Sequence, residues 1–144
     1  MRLRRAFLPA ILACIIPAAS GAAPTTIPGK TIYGSTAWNA SMNPITVTGD
    51  ITIAAGATLT IGKGTEVRFR ENSDDTHWGW DLARSEIIVY GTLKINGTEA
   101  EPVTLTSTGT AAMGWFGIVF SDRYASPGAT GTIDYCNIAR SVYG

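Results

Sequence analysis

The sequence has little cysteine, little histidine and almost no helical periodicity. Its 144 residues include two cysteines and one histidine, so neither a disulfide framework nor a His/Cys zinc site is predicted. Eleven basic residues balance eleven acidic ones, and beyond the first five residues the basic ones do not cluster. Phosphate binding needs grouped Lys and Arg, so we expect no nucleic acid partner.

The first 22 residues have the features of a secretion signal. Three arginines lie within the first five residues, an apolar run covers residues 6–16, and small residues follow at 20–22. This pattern predicts a signal peptide over 1–22 and a mature chain over 23–144. The apolar run is too short for a membrane span. The mature chain would have a net charge of about −3 and one cysteine, Cys136, which we interpret as a small apolar core residue.

A lipid anchor is the alternative interpretation of the same segment. The tetrapeptide that ends at Cys14, Ile11-Leu12-Ala13-Cys14, would be the acylation site. Apolar residues continue past Cys14, which a lipid-anchored tether does not require. We expect a secreted or cell-surface protein, with lipid anchoring at Cys14 as the minor alternative.

Short runs of alternating apolar and polar residues fill the mature chain. This period of two is typical of half-buried strands. The clearest runs are Ile51-Thr52-Ile53, Thr58-Leu59-Thr60-Ile61, Glu66-Val67-Arg68-Phe69, Ile87-Ile88-Val89, Thr92-Leu93-Lys94-Ile95 and Val103-Thr104-Leu105-Thr106.

The runs recur in a fixed order, which indicates a repeat. Ile51 matches Ile87, Leu59 matches Leu93, and Val67 matches Val103, at offsets of 36, 34 and 36 residues. A looser third copy covers 116–120, 131–135 and 138, with the Gly-Thr pairs at 91–92 and 131–132 in the same register. Such a period predicts a solenoid, because one three-strand coil cannot bury its apolar face alone.

Residues 36–107 resemble the opening coils of secreted right-handed parallel β-helix proteins of the pectate-lyase-like superfamily. The resemblance rests on Thr36-Ala37-Trp38, Asn43-Pro44-Ile45-Thr46-Val47, Gly56-Ala57-Thr58-Leu59-Thr60-Ile61-Gly62, Gly91-Thr92-Leu93-Lys94-Ile95-Asn96-Gly97 and Pro102-Val103-Thr104-Leu105-Thr106. The tetrapeptide Trp115-Phe116-Gly117-Ile118, which follows this stretch, also fits the pattern. It implies an all-β solenoid of about three coils. It implies no particular activity, because these motifs describe a scaffold.

The expected organisation is one β-helix domain over 23–144. Residues 23–47, with Trp38, form an N-terminal cap; 48–144 form the coils; and 70–85 form a loop insertion. No comparable cap is visible after Asn137. We therefore expect an incomplete β-helix whose C-terminal end packs against further coils of the same polypeptide or another chain.

The insertion is the predicted functional region, because loops on rigid scaffolds carry most binding residues. Two of the four tryptophans, the only histidine and several acids lie there. The tryptophans would stack on sugar rings while the acids bind hydroxyl groups. The alternative is that the tryptophans cover the coils as a lid and the acids are solvated. The candidate sugar-binding residues are Trp78, Trp80, Asp74, Asp75 and Asp81.

No catalytic residue, cofactor or metal ligand set is predicted. The strand-borne acids Glu66, Glu86 and Asp134 are scattered, and we interpret each as a surface charge. Polysaccharide-cleaving enzymes usually need paired carboxylates. A calcium site is conceivable because hard cations take oxygen ligands from flexible loops. Its ligands would be Glu71, Asp74, Asp75 and Asp81.

Two functions from different classes remain open. The first is an exported module with a structural, adhesive or carbohydrate-binding role, whose partner is an extracellular polysaccharide or glycan. The second is the N-terminal fragment of a polysaccharide lyase or glycoside hydrolase whose catalytic coils lie beyond Gly144.

Overall fold

Fourteen short strands and one 3-10 turn make up the secondary structure of the described residues. The computed structural model describes residues 23–123 and 128–143. The predicted signal peptide and Cys14 lie outside these residues. The strands are β1 Thr25–Ile27, β2 Lys30–Ile32, β3 Ser35–Trp38, β4 Ile45–Val47, β5 Ile51–Ile53, β6 Thr58–Gly62, β7 Glu66–Phe69, β8 Glu86–Val89, β9 Thr92–Asn96, β10 Val103–Ser107, β11 Trp115–Phe120, β12 Thr130–Asp134, β13 Cys136–Ile138 and β14 Ser141–Tyr143, with the turn at Ala40–Met42.

From β4 onward, each strand pairs in parallel with the strand three positions earlier in the chain. Sheet 1 has the order β1-β4-β7-β10-β13, sheet 2 the order β2-β5-β8-β11-β14, and sheet 3 the order β3-β6-β9-β12. Each of the first four coils therefore contributes one strand to each of three stacked sheets, and the last strands, β13 and β14, extend sheets 1 and 2. The predicted all-β parallel β-helix is confirmed.

The register follows the predicted repeat in two of its three strands. Ile51 pairs with Ile87 and Leu59 pairs with Leu93. Val67 pairs with Leu105 instead of Val103. A slip of two residues keeps every side chain on its face of the strand, so the alternation pattern did not resolve it.

The Gly-Thr alignment of the third copy is wrong by the same amount. Thr92 pairs with Thr130, and Ile95 pairs with Ile133. The predicted partner of Thr92 was Thr132, which lies opposite Lys94 instead. Here too the slip is two residues, so the outward and inward faces of the strand were predicted correctly.

The coils are shorter and more numerous than the sequence indicated. Thr25 pairs with Ile45 and Lys30 pairs with Ile51, so an early coil takes about 20 residues. The offsets of 34 and 36 residues span the 70–85 insertion. The region predicted as an N-terminal cap supplies three strands of a first coil and strand β4 of the second. These strands have only three or four residues, too few for a clear alternation.

The core is a set of aligned ladders of aliphatic side chains inside the coils. One ladder runs through Ile45, Val67 and Leu105 in sheet 1, and another through Ile61 and Ile95 in sheet 3. All five side chains are fully buried. Burial of apolar surface contributes about 25 cal/mol per Å² to stability. It is the main force that holds successive coils together.

Two tryptophans and Cys136 have packing roles, and that of Cys136 agrees with the prediction from the sequence. Trp38 and Trp115 are buried. Cys136 is partly buried against the core, and burial raises the pKa of its thiol to about 11. The thiol is therefore protonated at neutral pH, which is consistent with a packing role.

Candidate functional site

The insertion leaves the coils after Phe69 and returns at Glu86, across the outer face of sheet 2. Its backbone is tied to the coils on both sides. The Asp75 N–H donates to the Thr48 carbonyl at 3.0 Å, and the Asn72 N–H donates to the Gly114 carbonyl at 2.9 Å. Gly79 passes so close to Ile88 that a Cβ there would lie 3.1 Å from the Ile88 Cδ1. The insertion is thus packed on the sheet.

An open groove of about 600 Å³ lies between the insertion and the outer face of sheet 2. Its floor includes Thr31, Thr52 and Ile88, which are register partners on neighbouring strands. Parallel strands lie about 4.8 Å apart, so these side chains form a straight ladder. The groove residues are Thr31, Thr52, Trp78, Gly79, Trp80, Ile88, Tyr90 and Arg123.

Trp78 and Trp80 form one wall of the groove and are 59% and 49% exposed. A tryptophan combines a large apolar surface with a polar N–H group, and exposed apolar surface beside polar groups is typical of binding sites. Trp80 also borders a second hollow with Phe116, Phe120 and Tyr143. The two predicted tryptophans therefore share one surface.

Asp74 and Asp75 bind the protein's own backbone and side chains instead of facing the groove. Asp75 is exposed, but its carboxylate accepts from the Gly29 N–H at 3.1 Å and from the Thr48 hydroxyl at 2.5 Å. Asp74 is buried, and its Oδ1 accepts from the Thr76 hydroxyl at 2.6 Å. The Asp75 contacts attach the insertion to the corners of the first two coils.

Asp81 is engaged within its own turn. One carboxylate oxygen accepts from the Ala83 N–H at 2.9 Å, and the other forms an ion pair with Arg84 at 2.6 Å. Burial opposes ionisation of Asp81, but the Ala83 N–H and Arg84 outweigh it and hold the pKa of this carboxyl below its usual value. None of the three predicted acids lines the groove.

Three carboxyl groups are buried where the insertion packs on the coils, and two of them were not predicted as site residues. Asp50, Asp74 and Glu86 are each at most 5% exposed. Each has one oxygen that accepts hydrogen bonds and one buried oxygen without a partner: Asp50 Oδ2, Asp74 Oδ2 and Glu86 Oε2. We call these three residues the carboxyl trio.

Glu86 is a correction to its predicted role as a surface charge. Its neighbours Ile87 and Val89 face the core, so Glu86 and Ile88 point outward. The insertion covers that face and leaves Glu86 fully buried. By contrast, Asp134 is exposed and Glu66 is part-exposed in an ion pair with Arg68 at 2.8 Å.

The surroundings of Asp50 and Glu86 favour the protonated acids. Burial is the largest cause, and it raises the pKa of Asp50 to about 7, with the charges of Asp74 and Glu86 adding to the effect. Burial also raises the pKa of Glu86, although the Trp80 and Asp81 N–H groups oppose it. At neutral pH Asp50 is therefore partly protonated.

We expect the free energy of unfolding to fall as pH rises from about 4 to 7. The folded-state pKa of Asp50 is about 7, against an ordinary value of 3.8 for an aspartate. The folded state thus holds a proton that the unfolded chain releases, and each such group costs up to about 1.4 kcal/mol per pH unit in this window. Urea unfolding at several pH values measures the slope.

Two substitutions separate the contribution of Asp50 from general charge effects. Asp50→Asn should flatten the slope, whereas Glu99→Gln, on an exposed loop, should leave it unchanged. A wild-type stability that is constant or rises across the window would contradict the assignment.

Residues 23–123 and 128–143 contain neither a cluster of metal-ligating side chains nor a helix of membrane-spanning length. In that part of the chain no group of three or more His, Cys, Asp or Glu side chains is placed to hold a metal ion. The conceivable calcium ligand Glu71 instead accepts from the Ala111 N–H at 2.9 Å. No helix among these residues is long and apolar enough to cross a membrane.

Comparison with known proteins gives one match. A family model described as a pectate-lyase-like β-helix domain matches residues 31–144. No curated protein and no solved structure matches the chain. The matched range contains the insertion, the groove and the trio.

Proposed function

Because the chain belongs to the pectate-lyase-like β-helix family, we propose that it is an exported β-helix module that binds a polysaccharide chain in the groove beside Trp78 and Trp80. β-helix domains of this family are often extracellular, which agrees with the predicted signal peptide. The observation that carries the proposal is the pairing of two half-exposed tryptophans with a straight outer ladder.

The groove has the chemistry that a sugar chain needs. Pyranose rings present apolar C–H faces, which pack on indole rings, and hydroxyl groups, which need polar partners. Thr31 and Thr52 offer hydroxyl groups along the floor, and Arg123 lies at the groove lining. Asp74 and Asp75 support the site indirectly, because they hold the insertion on the coils.

We expect a Trp78→Ala/Trp80→Ala double variant to lose glycan binding. Removing both indole rings takes away the apolar wall, and aromatic contacts of this kind contribute about 1 kcal/mol or more each. The dissociation constant should rise at least about tenfold. An array of neutral and acidic polysaccharide fragments identifies a ligand, and calorimetry then compares the variants.

Tyr33→Ala is the matched control. Tyr33 is an exposed aromatic residue, 83% accessible, and does not line the groove. It should bind like the wild type. Equal binding by the wild type and the double variant would reject the groove as the site, and an array without any ligand would reject carbohydrate binding.

An enzyme fragment is the second candidate function. The same groove suits substrate binding by a polysaccharide lyase or glycoside hydrolase. Within the described residues no carboxylate lines the groove, so binding without turnover is our first proposal. Release of reducing ends or unsaturated products from the bound glycan would favour the enzyme.

We also propose that a further parallel coil, from the same polypeptide or another chain, packs on the layer formed by β12–β14. In the described part of the chain these strands are paired on one side only. Ile133 and Tyr143 are 44% and 64% exposed there, and Ile138 is only partly buried. Open strand edges beside exposed apolar side chains favour strand addition.

A further inference from the structure

We propose that the insertion is a pH-dependent cover, seated on sheet 2 while the carboxyl trio holds a proton and lifted when all three groups are charged. The inference rests on the proposed function only in its consequence, because lifting the insertion would remove Trp78 and Trp80 from the groove. The seating itself is a property of the free protein.

The trio connects the coils to the tryptophan segment through a chain of hydrogen bonds. Asp74 Oδ1 accepts from the Asp50 N–H at 3.3 Å, and Asp50 Oδ1 accepts from the Glu86 N–H at 3.0 Å. Glu86 Oε1 accepts from the N–H groups of Trp80 and Asp81, the second at 3.4 Å. Asp50 and Glu86 belong to the stacked coils, whereas Asp74, Trp80 and Asp81 belong to the insertion.

The three carboxyl oxygens without hydrogen-bond partners are where ionisation has its largest effect. A protonated carboxyl carries no net charge, whereas an ionised one leaves a buried negative charge that water does not solvate. Each member of the trio has one such oxygen. Three uncompensated charges beneath one loop would repel one another strongly at low local dielectric.

The charged side chains of Asp75, Asp81 and Arg84, on the insertion, form their hydrogen bonds and ion pairs with groups outside the trio. On the insertion, Asp81 adds a further negative charge and forms an ion pair with Arg84. Asp75, also negative, binds Gly29 and Thr48 on the first two coils. The insertion's His77 is exposed. From the following coil, the Phe116 N–H, which is uncharged, donates to the Ser85 carbonyl next to Glu86 at 3.0 Å.

Lifting the insertion is the least costly way to relieve the repulsion. Glu86 is the first residue of β8 and Asp50 directly precedes β5, and these two strands pair in parallel. Trp80 and Asp81, by contrast, are held by backbone hydrogen bonds to Glu86. Segments with few buried contacts open at a lower free energy than the global fold. Water would then reach the charged oxygens.

Hydrogen exchange of the whole chain, without any glycan, tests the proposal. We would follow peptides covering residues 73–86 by mass spectrometry at about pH 5 and about pH 8, corrected for intrinsic exchange. Peptides over β6 and β7 serve as the internal reference. Protection of the insertion should fall at least about tenfold at the higher pH, while that of the reference changes much less.

An Asp50→Asn/Glu86→Gln variant keeps the accepting oxygens and removes two titrating groups. Its insertion should stay protected at both pH values, and Glu99→Gln should behave like the wild type. Protection of the wild-type insertion that does not change with pH would overturn the proposal whether or not the double variant folds. A folded double variant with the wild-type pH dependence would overturn it as well.

The outcomes also separate this inference from the proposed function. If protection of the insertion depends on pH but the protein binds no glycan, the pH-dependent cover is supported and the carbohydrate site is rejected. Glycan binding with a pH-independent insertion would reject the cover and leave the site standing.

Discussion

Gly91→Ala should destabilise the β-helix by about 3 kcal/mol or more, because the corner between β8 and β9 has no room for a methyl group. A Cβ at Gly91 would collide with the carbonyl oxygens of Ala54 and Ala57, in the corner of the preceding coil, and would lie 3.2 Å from the Ala57 nitrogen. Backbone atoms cannot turn aside as a flexible side chain can. Overpacking in a close-packed interior costs about 1–3 kcal/mol, and more when the backbone must move.

Hydrogen bonds fix Gly91 from both neighbouring coils. Its N–H donates to the Ile53 carbonyl at 3.1 Å, and its carbonyl accepts from the Thr130 N–H at 2.9 Å. A shift that made room for Cβ would break this stacking. Urea unfolding or calorimetry measures the loss.

Gly34→Ala is the matched control, because Gly34 occupies the equivalent corner, between β2 and β3, of the first coil. A Cβ at Gly34 would meet no atom within 4 Å, so this variant should have a stability close to that of the wild type. Equal stabilities of the Gly91→Ala and Gly34→Ala variants would contradict the close stacking of corners.

Trp115→Ala should lower the free energy of unfolding by about 3–5 kcal/mol. Trp115 is fully buried. Its ring stacks on Phe69 with a centroid distance of 4.1 Å and an interplanar angle of 3°. Its indole N–H donates to the Ala139 carbonyl at 2.8 Å. Truncation would leave a large cavity and an unpaired carbonyl group across three coils.

Trp115→Phe separates the two contributions. Phenylalanine keeps an aromatic ring against Phe69 and loses the hydrogen bond to Ala139, so we expect a loss of about 1–2 kcal/mol. A loss as large as that of Trp115→Ala would mean that the hydrogen bond dominates. A negligible loss for both variants would contradict the stacked core position of Trp115.

The fold was largely predictable from the sequence because alternation and repeat order depend on local side-chain pattern. Ile51 and Leu59 were assigned their correct partners in the next coil. Val67 and Thr92 were not, because a two-residue slip preserves the inward face. The coil length was overestimated because the clearest matches flank the insertion.

The candidate site was predictable only in part. Trp78 and Trp80 stood out as aromatic residues in a loop that interrupts the repeat, and both line the groove. Asp50 and Glu86 gave no such signal, since each is a single acid in a strand or corner pattern. Their burial results from the path of the insertion across sheet 2, which short-range sequence patterns do not encode. One feature of the sequence could have indicated this burial: the long insertion ends directly before Glu86, which faces outward from its strand.

An NMR titration with the glycan selected by the array tests the central claim most directly. We expect the largest shifts at the indole N–H groups of Trp78 and Trp80 and at the amides of Thr31 and Thr52, on the outer face of sheet 2. Shifts confined to sheet 1 or sheet 3, with these four residues unchanged, would contradict it.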